Sequence, residues 1–172
     1  SKVDLFLDPH CPASKEFAQL TAQVLKVAVN EKPLSEQLTF YVHFLPLPYH
    51  QNAFLAVKVL KLIEKRAWGK FWDFLSLQFD KIPDYTSGAL SKSESAVKQE
   101  LIADAIKVIG SSSPDIQSVF ETQEWEIEAR LAFKYAAYRG VTGTPMLFIN
   151  GVLVEDVPEG VEGLVQLFSK YI

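Results

Sequence analysis

Apolar positions along the chain change their period several times, and each change marks an element. Residues 2–8 are a short apolar run closed by Asp8-Pro9 and read as a buried strand. Phe17, Leu20, Val24 and Val27 then recur at helical spacing, with Glu16, Gln19, Gln23, Lys26 and Asn30 on the other face. This predicts a helix over residues 12–29. Pro33 and Ser35 mark a turn. Leu38, Phe40, Val42 and Phe44 alternate with Thr39, Tyr41, His43 and Leu45, which predicts a second strand over 38–45. With a crossover helix between them, the two strands run parallel. Pro46 and Pro48 end the second one.

A long helical stretch follows. From Asn52 to Arg66 nearly every position is apolar except Lys58, Lys61, Glu64 and Lys65, so this helix is mostly buried and its lysines form a narrow solvated stripe. Gly69 breaks the pattern, and Phe71, Trp72, Phe74, Leu75, Leu77 and Phe79 form an aromatic-rich helix ended by Pro83. Trp68, Trp72 and Trp125 read as packing residues. Ser87 to Ser93 is the least regular segment. Ser93 is placed to cap a helix carrying Val97, Leu101, Ala105 and Val108, which Gly110 closes. Ser111 to Pro114 caps another short helix, and a long one runs over 122–139 to Gly140, with Glu126 and Arg130 as an i,i+4 pair. Asn150-Gly151 between two apolar runs signals a tight type I′ hairpin. Val161, Leu164, Val165 and Phe168 mark a terminal amphipathic helix.

The order is a βαβ half and a ββα half with helices between them, an α/β arrangement. The chain reads as one domain, with a core of residues 1–49 and 121–172 and a helical insertion of about 50–120. A small doubly wound sheet is the nearest competitor, but the glycine-rich phosphate turn after the first strand is missing.

Composition narrows the function classes. The 172 residues are 48% hydrophobic and 22% charged, with a formal net charge of −4 and neither an acidic tail nor a basic block. That argues against nucleic acid and anionic membrane as partners. No run approaches the roughly 20 apolar residues of a membrane span. The reading is of a soluble chain. It starts at Ser1 directly before a strand, which leaves open a removed targeting segment and a secretory-pathway origin, although no Asn-x-Ser/Thr acceptor occurs. Oligomeric state stays open.

Cys11 is the only cysteine, so no internal disulfide can form. By composition alone a lone cysteine is most often a small buried hydrophobe. Its position in Asp8-Pro9-His10-Cys11-Pro12-Ala13-Ser14 argues otherwise. Pro12 fits the first helical position, which sets Cys11 at the positive end of the helix, where a thiolate is favoured. The sulfur is expected to be solvent-accessible. His10 is either an imidazole tuning the thiol or a solvated turn residue. Asp8 is either a proton-relay carboxylate or a cap on the turn. His10, His43 and His50 lack ligand spacing, so no metal site is expected.

The run Asp-Pro-His-Cys-Pro-Ala-Ser-Lys-Glu-Phe resembles the active-site segment of DsbA-like thioredoxin-fold proteins, with one departure: Ser14 stands where those oxidoreductases carry a second cysteine. Together with His43-Phe44-Leu45-Pro46-Leu47-Pro48-Tyr49-His50, it is similar to a eukaryotic group of thioredoxin-like proteins with a Cys-Pro-x-Ser site. The resemblance implies a thioredoxin-like fold with an inserted helical domain. It also implies a cis-proline loop at Gly143-Thr144-Pro145 that faces Cys11 and pairs with an extended substrate. Lowering a thiol's pKa raises its thiolate fraction but lowers its nucleophilicity, so the gain is chiefly in leaving-group quality. That matters because Ser14 cannot resolve a mixed disulfide. The expected activity is therefore monothiol exchange, with Cys11 as nucleophile and the Ser14 hydroxyl donating to the thiolate. The partners would be client-protein thiols and disulfides or glutathione, the latter the one co-substrate expected. A glutathione-binding role as in the transferases of this branch fits less well, since their active residue is commonly serine. The rival is a redox-inactive module that keeps only the peptide-binding groove.

Overall fold

The computed structural model describes residues 1–110 and 114–172. β1 (Lys2–Leu7) is followed by α1 (Pro12–Val24), and β2 (Ala28–Val29) and β3 (Lys32–Pro33) then form a separate two-stranded ladder. α2 (Leu34–Gln37) leads into β4 (Thr39–Phe44). The helical stretch comprises α3 (Ala53–Arg66), α4 (Phe71–Asp80), α5 (Ile82–Tyr85), α6 (Glu94–Ile109) and α7 (Pro114–Gln117). α8 (Gln123–Tyr138), β5 (Met146–Ile149), β6 (Val152–Leu153) and α9 (Gly160–Ser169) complete the chain. The main sheet has the order β4-β1-β5-β6, with β1 and β4 parallel and the other pairs antiparallel.

Alternation along β1 separates two cores. Val3, Leu5 and Leu7 join Val24 of α1, Leu164 and Phe168 of α9 and the buried faces of α3, α4 and α6. Phe6 points to the other side, where Phe148 of β5 and Ala136 of α8 meet it. The first of these cores is continuous from the sheet into the helical stretch, which therefore packs as part of the body of the protein.

Several local expectations are met by the backbone. Ser93 Oγ accepts the Ala96 amide, and Gly110 closes α6 at φ +78°. Asn150 and Gly151 both take positive φ, as a type I′ hairpin requires. Others need correction. The first helix stops at Val24 rather than residue 29, because Asn30 and Glu31 adopt left-handed φ and fold Ala28–Val29 back on Lys32–Pro33. The turn expected at Pro33 and Ser35 holds the short helix α2. Ser87–Ala89 is a 3-10 turn whose Ala89 is buried in the core, not an irregular loop. The cap expected at Ser111–Pro114 lies outside the described residues.

Two side-chain readings are also overturned. Lys58 is not part of a solvated stripe: it is buried, and its ammonium pairs with Glu126 of α8. The lysine stem packs under the helix while its head finds a carboxylate. Trp68 and Trp72 are not packing residues like Trp125; they are 61% and 49% exposed, against 2% for Trp125.

The Lys58–Glu126 pair joins α3 to α8, and truncating one partner strands a charge in a largely dry place. Glu126→Ala should lose about 1–3 kcal/mol in urea unfolding. The double variant with Lys58→Met should recover most of that loss. A double variant no more stable than the single one would show that the ion pair is incidental.

Candidate active site

Asp8-Pro9 ends β1, and the turn is closed by the Cys11 amide donating to the Asp8 carbonyl at 3.1 Å. Cys11 is the N-cap residue of α1 with extended backbone, and Pro12 opens the helix. Its thiol donates to the Thr144 carbonyl at 3.5 Å. The Thr144-Pro145 peptide is cis. The strand-to-helix turn and the loop before β5 therefore meet across this sulfur, bringing together residues 133 positions apart.

The sulfur is not uncovered, as the sequence reading expected. Cys11 is only 6% exposed, beneath a rim on which Pro12 and Ala13 are exposed and Gly143, Thr144 and Pro145 half-buried. Ser14 is fully buried, and its Oγ accepts the Asp8 amide at 3.1 Å. Among the described residues no Ser14–Cys11 hydrogen bond forms. Ser14 thus stitches the helix start to the strand end.

Asp8 is a turn cap with further reach. Its fully buried carboxylate takes the His10 amide at 2.7 Å on Oδ1. On Oδ2 it takes the Leu47 amide at 2.7 Å and His50 Nδ1 at 2.9 Å. The carboxylate thereby holds the loop between β4 and α3 against the cysteine turn. His50, which the sequence offered only as a discarded metal ligand, is part of this structure.

His10 is neither a solvated turn residue nor aimed at the thiol by any hydrogen bond among the described residues. It is fully buried, stacked at 5.1 Å on Tyr85, with Nε2 at 3.2 Å from Gln78 Oε1. Because Gln78 Nε2 reaches Asp104 Oδ2 at 3.4 Å, its Oε1 is the acceptor, and His10 carries its proton on Nε2. Nδ1 then has a lone pair with no hydrogen-bond partner among the described residues, as does the Thr144 hydroxyl oxygen. Asp104 also takes Lys81 at 2.8 Å and the Tyr85 hydroxyl at 2.5 Å, and burial beside that carboxylate raises the Tyr85 pKa well above its ordinary value. Gln78, Tyr85, Lys81 and Asp104 were not found from the sequence. A signal was present: Gln78 falls one heptad after Phe71, and Asp104 one heptad after Val97, each on the buried stripe of its helix.

His43 lies on the other face of the sheet, paired with Asp4 at 2.8 Å and stacked on Phe6 at 4.8 Å. The three histidines thus serve different partners, and among the described residues no group of metal-ligating side chains converges.

Burial lowers the pKa of both His10 and His43, outweighing the opposing help from Gln78 and Asp8 at the first and Asp4 at the second. The fold therefore keeps both rings neutral to a lower pH than the unfolded chain does, where they protonate near the ordinary value of 6.5. Their contribution is fully present above that pH and is lost as pH falls toward the lowered folded values. Unfolding free energy should therefore drop as pH falls through about 6.5 and below, by up to about 1.4 kcal/mol per pH unit for each ring. His43→Gln should flatten the slope. A wild-type profile already flat over that range would contradict the assignment.

No protein-family model matches the chain, and no curated protein matches it in sequence. Solved structures do match in shape. BdbD from Bacillus subtilis in its oxidised form superimposes with a TM-score of 0.74 at 17% identity, covering 98% of this chain and 85% of that one. MdbA, a thiol-disulfide oxidoreductase from Corynebacterium diphtheriae, gives 0.69 at 19% identity over 97% and 82%. The thiol-disulfide exchange protein alpha-DsbA2 from Wolbachia pipientis gives 0.69 at 17% over 99% and 81%. With the parallel β1–β4 pair, the antiparallel β5–β6 hairpin and the helices inserted between them, the chain has the thioredoxin fold in the form seen in DsbA-like thiol–disulfide oxidoreductases.

Proposed function

We propose that the protein is a monothiol thiol–disulfide exchange protein with Cys11 as its nucleophile. The observation that supports this most is the 3.5 Å approach of the only thiol to the Thr144 carbonyl, beside the rim of Gly143, Thr144 and Pro145. A nucleophile at a helix N-terminus and an adjacent stretch of partly open backbone are what exchange with an extended substrate needs. The shared fold with thiol–disulfide oxidoreductases points the same way.

The cycle has two displacements. The Cys11 thiol gives its proton to solvent, and the thiolate attacks one sulfur of a client or glutathione disulfide. A Cys11–sulfur bond forms, the substrate disulfide breaks, and the second substrate sulfur departs as a thiolate. A thiolate from glutathione or a second client cysteine then attacks the mixed disulfide and regenerates Cys11. Ser14 takes no part in this second step, since a hydroxyl cannot displace a sulfur. Electrons pass only between the entering and leaving thiols.

The second reading is a redox-inactive module that binds extended peptides along the same rim. It is favoured by the 6% exposure of Cys11, which restricts approach to the sulfur.

One experiment separates them. Incubated with glutathione disulfide, the protein should gain a single glutathione by mass, lose it on addition of reduced glutathione, and gain none as Cys11→Ser. A Ser14→Cys variant should acquire insulin-reducing activity that the parent lacks. An unmodified parent together with an inactive Ser14→Cys variant would leave the binding module as the function.

A further inference from the structure

A cavity lies away from the thiol, with a volume of about 850 Å³, within the usual range of small-ligand sites. Its walls are the facing sides of α1 and α4, and its floor is the sheet face carrying Leu5, Leu7, Phe40 and Val42. Lys15 near the start of α1 pairs with Asp80 at the end of α4, 2.9 Å apart. The start of α1 therefore meets the end of α4 where Asp80 lines one end of the slot. The opposite end is marked by Lys26, Trp72 and Trp68, with Ser35 held there by the hydrogen bond that its amide donates to the Leu25 carbonyl.

The space exists because α1 presents small side chains, Ala18, Thr21 and Ala22, to the large ones of α4, Phe71, Leu75 and Phe79. Protein interiors close gaps of this size. Here the gap persists as an apolar slot that runs along α1 from Ala18 and past its end to Lys26. Both tryptophans stand at its mouth, Trp68 stacked on Phe71 at 5.1 Å and Trp72 edge-on to it at 5.3 Å.

Charge selects the occupant. Three charged side chains line the slot. Asp80 is neutralised by Lys15 and Glu64 by Lys61, 2.6 Å away, whereas Lys26 has no carboxylate partner among the described residues. A cation is thus left over at the open end of an apolar channel. The walls are helix sides whose backbone groups are bonded internally, so they offer nothing to a peptide backbone. The floor residues Leu5 and Leu7 are buried and recessed, so an occupant must enter the slot to reach them.

We propose that this slot binds a free, single-chain carboxylic acid, its alkyl chain between α1 and α4 and its carboxylate at Lys26. The proposal makes no use of Cys11 and is independent of the exchange reaction.

Dodecanoate, below its micelle concentration, is titrated into the full chain by calorimetry with tryptophan fluorescence in parallel. One saturable site is expected, with a fluorescence change from Trp68 and Trp72. Ala22→Phe fills the slot at an exposed position and should weaken binding at least tenfold, with cooperative unfolding and the Cys11 alkylation rate unchanged. Trp72→Ala, a surface truncation, should also weaken it. Lys26→Gln should weaken dodecanoate about threefold, the scale of an exposed ion pair, and leave dodecanol unaffected. Binding of dodecyltrimethylammonium as tight as that of dodecanoate would overturn the proposal. So would the absence of a saturable site, indifference to Ala22→Phe, or fluorescence changes produced only by phosphatidylcholine vesicles.

Discussion

The arrangement around the thiol depends on one buried carboxylate. Asp8 sits at the last position before the cysteine turn with no exposure to water, and three donors from two separate segments converge on it. A carboxylate taken out of water is costly unless its oxygens are satisfied. Here the donors are the amides of His10 and Leu47 and the ring of His50, so the loop between β4 and α3 must lie against the turn for the charge to be tolerated. The Asp8 amide is satisfied in turn by Ser14 Oγ, from the first turn of α1. Strand end, helix start and neighbouring loop are thus one hydrogen-bonded unit, and Cys11 is held inside it.

This unit is tied to the helical stretch by a second polar chain, from His10 through Gln78 to Asp104, with Tyr85 and Lys81 completing it. Asn52 joins the same region by donating to the Tyr85 carbonyl at 2.8 Å. Buried networks of this kind are stabilising only when their members are satisfied. Among the described residues, the buried side-chain atoms without a partner are His10 Nδ1, within this network, and Thr144 Oγ1, outside it, and both belong to segments that frame the thiol. Among the described residues, the buried side-chain atoms left without a hydrogen bond therefore lie beside the sulfur.

Much of the fold was legible because local signals agreed with one another. The Asn150-Gly151 turn, the Ser93 cap and the alternation over residues 38–45 each specify geometry within a few residues. Where tertiary context competes, the sequence misled. Asn30 and Glu31 turned the chain back within an apparently helical pattern, and Lys58 could be buried only because Glu126, far away in sequence, meets it. The cysteine at a helix start and the Thr144-Pro145 loop were readable from motif and resemblance. What hid was the covering of the sulfur and the polar chain behind it. The first follows from the approach of the Thr144-Pro145 loop, the second from helices of the insertion that pack on His10, and periodicity on a single helix carries neither. Gln78 and Asp104 marked the place as polar residues on apolar stripes, but not the partner each would take.

The central claim is that the Cys11 sulfur and the backbone at Gly143-Thr144-Pro145 act on one substrate. The most direct measurement is a crystal structure of the protein trapped through Cys11 as a mixed disulfide with an extended cysteine-containing peptide. The account predicts the peptide running alongside this loop, its main chain hydrogen-bonded to the Thr144 backbone. A trapped peptide that leaves the loop untouched, or a thiol that cannot be trapped without unfolding the chain, would contradict it.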